Sequence, residues 1–252
     1  MKISVCFNTC SRPILARIVL EQIKKFLDKY DYEFVIAYDR DDENPVDETI
    51  DLAKKLFTVK DVIINKDHRK HGPMFNESFG RCDGDYYMFL EDDWYWREDR
   101  LSTAMVALEE VDFVRLLRIP FHSFKNVREG YYLMWDDADY GFNFGPSIRK
   151  TRFPIGEFGT YPDRPMFEGE SSRIFKRLGK TSAVLDTDSF SHVGFCDANG
   201  GLRHQHFVRE GVEPSISGAI RWFKSITNDE NHIDLFIEHL KKEVKKFDVG
   251  VN

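Results

Sequence analysis

Two periodicities alternate through the first ninety or so residues, and they leave few folds open. Ile3, Val5 and Phe7 interleave with Lys2, Ser4 and Cys6, the period of a strand. Ser11-Arg12-Pro13 then supplies a helix start, and Leu15, Ile18, Val19, Ile23 and Phe26 recur at helical spacing, with Arg17, Glu21, Lys24 and Lys25 on the opposite face. The same reasoning predicts strands over 34–37 and 62–64 around a helix over 45–56. A helix over 73–81 then leads into a strand over 86–90. Strands joined by helices run parallel through right-handed crossovers, so an α/β fold with a mostly parallel, doubly wound sheet is expected.

The fourth strand ends unusually. Gly84-Asp85-Tyr86-Tyr87-Met88-Phe89-Leu90 runs straight into Glu91-Asp92-Asp93. Parallel sheets place ligand sites at the carboxyl ends of their strands, which is where these acids fall. Alternation along an extended segment sets Glu91 and Asp93 on one side, able to share a hard cation, with Asp92 directed away. A solvated acidic turn is the competing reading.

A chain of 252 residues, 42% of them hydrophobic, can bury a large core without disulfides or metals. Cys6, Cys10, Cys82 and Cys196 have no Cys-x-x-Cys spacing and form no disulfide framework. The net charge of −7 argues against a dedicated nucleic-acid binder. No window approaches the apolar length of a membrane span, and the N-terminus enters a strand without a leader, so a cytoplasmic protein is expected. Beyond the acids the pattern turns to α+β. A helix over 101–110 and short strands over 113–117, 131–135, 142–148 and 183–185 are predicted, and a final amphipathic helix carries Ile233, Phe236, Ile237, Leu240, Val244 and Phe247 for packing.

Several segments appear in one order: Phe7-Asn8-Thr9-Cys10-Ser11-Arg12-Pro13, Ala37-Tyr38-Asp39-Arg40-Asp41-Asp42, His71-Gly72-Pro73-Met74-Phe75-Asn76, Gly84 to Asp93, and Met166-Phe167-Glu168-Gly169-Glu170 before Arg177-Leu178-Gly179. In this order, over residues 2–195, the chain resembles the GT-A fold glycosyltransferases, most closely the inverting family 2. It departs from that pattern where acids replace Gly-Ser after Asp39, where Glu91 replaces an Asp, and where Ser171 takes the second acidic position.

The resemblance implies one GT-A catalytic domain over 1–252: a nucleotide-sugar half (1–95), an acceptor half (96–225) and a terminal helix (226–252). It assigns Thr9 and Asp39 to the nucleobase, the hydroxyl pairing with a carbonyl and the carboxylate accepting from a ring N–H. Arg12 is directed to the diphosphate or nucleoside and Asp41 to the ribose, and Asn76, Glu91 and Asp92 join the donor site. Asp93, Glu91 and His192 would hold Mn²⁺ or Mg²⁺. Glu170, with Glu168 as its alternative, would be the base that takes the acceptor's proton. Arg203 and His206 lie in a glycine-bearing stretch suited to a lid over the diphosphate. Capping is a competing role for Thr9 and for Glu170, and an acidic turn for Asp41.

The function implied is metal-dependent, inverting transfer of a sugar from a nucleotide-sugar, with UDP the expected nucleotide. The acceptor is a hydroxyl of a glycan or lipid-linked saccharide, with a hydroxylated DNA base as a further option given Arg149-Lys150-Thr151-Arg152. A sugar nucleotidyltransferase is the alternative enzyme, although the loop after the first strand lacks the glycines such enzymes use to bind phosphates. A non-catalytic nucleotide-sugar-binding module is the alternative outside enzymes.

Overall fold

The computed structural model describes residues 1–9, 13–39, 47–65, 77–92, 94–96, 98–116, 118–123, 128–133, 145–149, 182–185, 192–196, 207–208 and 216–248. Its first half follows the expected alternation: β1 (Lys2–Thr9), α1 (Pro13–Leu27), β2 (Asp31–Asp39), α2 (Asp47–Leu56), β3 (Val59–Asn65), helical residues 77–81, and β4 (Tyr86–Glu91). Then come β5 (Trp94–Trp96), α3 (Glu98–Glu110), β6 (Phe113–Leu116), β7 (Arg118–Ser123), β8 (Arg128–Leu133), β9 (Gly145–Arg149), β10 (Ser182–Leu185), β11 (His192–Cys196), β12 (Phe207–Val208), α4 (Ile216–Ile226) and α5 (Glu230–Asp248).

A seven-stranded sheet has the order β10-β6-β9-β4-β1-β2-β3. The β1–β2, β2–β3, β1–β4 and β6–β10 pairs are parallel, and β9 is inserted antiparallel to both β4 and β6. Right-handed crossovers put α1 and α2 on one face and residues 77–81 and α3 on the other. The aromatic contacts agree. Phe34 stacks on Phe57, just after α2, at 4.2 Å between centroids, while Phe79 packs on Tyr87 at 4.8 Å. A second sheet, β12-β8-β7-β11-β5, is built from strands that interleave in sequence with β6, β9 and β10 of the first.

Helix α1 starts on Pro13, whose missing N–H costs nothing at the first helical position. It buries two stripes. Val19, Leu20, Ile23 and Phe26 join the main core with β1 and β2, while Leu15 and Ile18 join a second cluster with Tyr95, Phe223, Ile233, Phe236 and Leu240. Each fully buried side chain of this size stabilises by roughly 1.5–3 kcal/mol. Ile233, Phe236, Ile237 and Leu240 of the terminal helix pack as its periodicity predicted, while the side chains of Val244 and Phe247 lie outside the described residues.

At the amino ends of the central strands a buried carboxylate closes the sheet. Glu33, 6% exposed, accepts from Ser4 Oγ at 2.6 Å, Lys2 Nζ at 2.7 Å, Lys60 Nζ at 3.1 Å and the Asp83 backbone N–H. Burial alone would raise its pKa, but these donors outweigh it and hold the carboxyl at about 2. Gly84 fits against this cluster with no room for a side chain: a Cβ there would lie 2.6 Å from Ser4 Oγ and 2.8 Å from the Lys2 carbonyl oxygen.

The strands expected at 131–135 and 142–148 and the helix expected at 45–56 are described over Arg128–Leu133, Gly145–Arg149 and Asp47–Leu56, with residues 134–135, 142–144 and 45–46 outside the described residues. Strands β5, β7, β11 and β12 and helix α4 had no expectation. Strands β5 and β12 are too short to show alternation and Pro120 interrupts the pattern of β7; these strands are set by pairing across the second sheet.

Candidate functional site

From β1 the chain steps outward to β2 and β3, then returns to the other side of β1 for β4. Where strand order reverses in this way, the loops leave in opposite directions and open a crevice at the carboxyl ends. Here the crevice lies between Thr9, the last residue of β1, and Glu91, the last of β4.

The ladder between these strands runs one residue beyond the end of β4. Asn8 is in register with Glu91, the Asp92 N–H donates to the Asn8 carbonyl at 3.1 Å, and Thr9 Oγ1 donates to Asp92 Oδ2 at 2.8 Å. Register and alternation put Asn8 and Glu91 on one face of the sheet and Thr9 and Asp92 on the other. Thr9 is 3% exposed and Asp92 1%, whereas Glu91 is half-buried. The acidic run is therefore divided: Asp92 is tied inward and Glu91 stays at the rim. While the bond to Asp92 stands, the Thr9 hydroxyl has no proton for a base carbonyl and retains only lone pairs to accept.

Sequence reasoning passed over Asn8. Its side chain is buried, Oδ1 lies 3.8 Å from Cys6 Sγ as a weak acceptor, and Nδ2 has no hydrogen-bond partner among the described residues. A buried donor left unpaired costs about 1–3 kcal/mol, so it marks a place where ligand recognition could compensate the fold. The available signal was an amide interrupting the apolar run just before the end of a buried strand.

Of the other expected site residues, Asp39 ends β2 and His192 opens β11, with the side chains of both outside the described set. Strand β11 pairs antiparallel with β5, His192 opposite Trp96 and Gly194 opposite Trp94. This brings the His192 segment beside the strand that follows Asp93. Asp93 is three residues from Trp96 in sequence, which bounds their separation at about 10 Å. Arg12, Asp41, Asn76, Asp93, Glu168, Glu170, Arg203 and His206 lie outside the described residues. Among the described residues no group of three His, Cys, Asp or Glu side chains could hold a metal.

Tyr95, the middle residue of β5 and opposite Val193, is 1% exposed. Burial pushes its phenol up to about 12, against the opposing effect of its hydrogen bond to Thr227. No helix among the described residues is long and apolar enough to cross a membrane.

Solved structures share this architecture. Staphylococcus aureus TarS superposes with a TM-score of 0.53 at 15% identity, over 78% of this chain and 37% of TarS. Its 1–349 fragment in complex with UDP-GlcNAc gives 0.53 at 17% identity, over 95% of this chain and 72% of the fragment. A protein from Desulfovibrio desulfuricans G20, named as a nucleotide-diphospho-sugar transferase, gives 0.52 at 11% identity, over 95% of this chain and 97% of that one. The chain thus spans little more than a third of full-length TarS and nearly the whole of the Desulfovibrio protein. At these identities the likeness establishes the fold, which is of GT-A type: a mostly parallel, Rossmann-like sheet with helices on both faces. No protein-family model matches the sequence, and no curated protein does.

Proposed function

We propose that the chain is a metal-dependent, inverting glycosyltransferase of the family 2 type that transfers a sugar from a UDP-sugar to a saccharide hydroxyl. The observation that carries this reading is the coincidence of the strand-order reversal with Thr9, Glu91 and Asp92 at the carboxyl ends of β1 and β4. The fold shared with a UDP-GlcNAc-bound structure supports the donor class. In the proposed site Asp39 takes the base, Arg12, Asp41 and Asn76 the rest of the nucleotide, and Arg203 and His206 close over the diphosphate.

The donor set suits Mn²⁺ or Mg²⁺. Glu91 stays at the rim while Asp92 is held away from it, and two carboxylates with an imidazole are the ligand types a hard to borderline cation takes. Glu91, Asp93 and His192 would hold the ion, and its charge would offset the negative charge of the departing nucleoside diphosphate.

Glu170 accepts the proton of the acceptor hydroxyl as its oxygen attacks the anomeric carbon from the face opposite the diphosphate. The glycosidic C–O bond forms as the bond to phosphate oxygen breaks, and configuration inverts. Glu168 is the alternative base. Replacing Glu170 with Gln should lower kcat by about 10²–10⁴-fold with donor affinity retained, since a positioned base supplies that much. The same loss from Glu168→Gln, with Glu170→Gln active, would exchange their roles. Full activity in both variants would contradict the base assignment. A saccharide acceptor predicts turnover that changes little with salt, whereas a DNA acceptor predicts a steep fall.

A further inference from the structure

We infer that the last two helices, α4 and α5, position the chain that leaves Glu91 and Asp92 by seating Tyr95, three residues past Asp92. This inference rests on the metal-dependent reading above.

Strand β5 has only three residues, too few to fix its own place. Its middle residue, Tyr95, enters the cluster made by Leu15 and Ile18 of α1 with Phe223, Ile233, Phe236 and Leu240 of the last two helices. The Tyr95 ring meets Phe223 edge-on at 5.4 Å, and Phe223 stacks on Phe236 at 4.3 Å. A phenylalanine would satisfy that packing. The hydroxyl adds direction: it donates to Thr227 Oγ1 at 2.8 Å, in the turn that joins α4 to α5.

That turn is itself held rigidly. Thr227 Oγ1 also accepts from the Asp229 N–H at 3.1 Å, and Asp229 caps α5 by accepting from the His232 N–H at 3.1 Å. The His232 ring returns to stand edge-on to Tyr95 at 5.9 Å, closing a circuit of Tyr95, Thr227, Asp229 and His232. Lys25 of α1 pairs with Asp229, and Glu21 of α1 accepts from Asn231 Nδ2 at 2.9 Å, so α1 is bound into the same assembly.

The elements held this way flank the crevice. Helix α1 begins at Pro13, shortly after Thr9 in sequence, and β5 begins at Trp94, shortly after Asp92. Because β5 also pairs with β11, with Tyr95 opposite Val193 and Trp96 opposite His192, one anchor bears both on the strand that follows Glu91 and Asp92 and on the backbone of His192, far apart in sequence. Residues behind metal ligands fix their orientation, and an oriented hydroxyl in an apolar cluster is a means of doing so. Tyr95 and Thr227 are thus positioning residues.

The test is Mn²⁺ affinity in the presence of saturating UDP, measured calorimetrically on the full chain for Tyr95→Phe, Thr227→Val, Thr227→Ser and the double variant. Tyr95→Phe and Thr227→Val should each weaken Mn²⁺ binding roughly tenfold, as loss of a group supporting a metal ligand does. The double variant should be no weaker than either single, and Thr227→Ser should bind as the wild type does. UDP affinity without metal should not move. Leu240→Val, which loosens the same cluster without touching the hydroxyl, should lower Tm and leave Mn²⁺ affinity intact. Wild-type Mn²⁺ affinity in Tyr95→Phe, or an equal loss in Leu240→Val, would overturn the inference. A wild-type chain that takes no Mn²⁺ with UDP would overturn it together with the metal-dependent reading, and is distinguished because the parent protein itself fails.

Discussion

At the amino ends of β1 and β2, Glu33 is surrounded by a hydroxyl, two ammonium groups and a backbone N–H. At the carboxyl ends of the neighbouring strands, the buried Asp92 accepts from the Thr9 hydroxyl, Glu91 stands half-buried at the rim, and the Asn8 amide nitrogen has no partner among the described residues. Both ends hold a buried acid on the same sheet. The first is satisfied in every direction, so it can only stabilise. The second retains an unmatched donor on Asn8, which costs stability unless something else engages it, beside a half-buried carboxylate at the edge. An acidic residue on such a sheet is read by which end it occupies and how fully it is paired.

The contrast can be broken from the closed end first. Replacing Gly84 with Ala drives a Cβ into Ser4 and the Lys2 carbonyl, and should cost about 3 kcal/mol in chemical denaturation, as overpacking against backbone does. Folded protein that remains should bind nucleotide normally. Next, Glu33→Gln should cost about 2 kcal/mol, the range for hydrogen bonds to a charged group. It should also remove one component of acid unfolding. Glu33 titrates at about 2 when folded against an ordinary 4.5, so its contribution is complete above pH 4.5 and is lost as pH falls toward 2. If the variant's stability shows the same slope over that window, Glu33 is not the group responsible.

At the open end the effects are smaller in stability and larger in binding. Thr9→Val removes the donor to Asp92 and should cost about 1.5 kcal/mol while weakening nucleotide binding, with Thr9→Ser close to wild type. Asn8→Leu, which discards the unmatched amide, should change stability by less than about 1 kcal/mol, in either direction, yet reduce the thermal shift on adding nucleotide. A large loss of stability in Asn8→Leu would place that amide in the structure rather than in the site.

Much of this was legible in the sequence, for particular reasons. Ile3, Val5, Phe7 and the stripe on α1 are local periodicities, and periodicity fixes strand or helix without knowledge of partners. Gly84 was read only through the resemblance; the close approach of Ser4, 80 residues away, supplies its physical cause. The antiparallel direction of β9 was not legible, because strand direction depends on pairing with β4 and β6 and leaves no mark in five residues. Nor was the seat of Tyr95. The sequence shows an aromatic between two tryptophans, and nothing local says that Thr227 lies against it. Strand ends could be placed from sequence because side chains alternate there, which is why Asp92 was expected to part from its neighbours. The partner that holds it, Thr9, comes from another strand and emerged only in three dimensions.

The proposed metal-dependent nucleotide site lies at the carboxyl end of the sheet, at the β1–β4 reversal. It is tested most directly by thermal shift of the wild type and of Asp93→Ala with UDP, GDP, CDP, dTDP and ADP, each with and without Mn²⁺. Free ligand at about a hundred times its dissociation constant adds roughly 2.7 kcal/mol, which such an assay resolves readily. UDP should stabilise the wild type only with Mn²⁺ present, and the effect should vanish in Asp93→Ala. No shift with any diphosphate in the presence of metal, or an equal shift in Asp93→Ala, would contradict it.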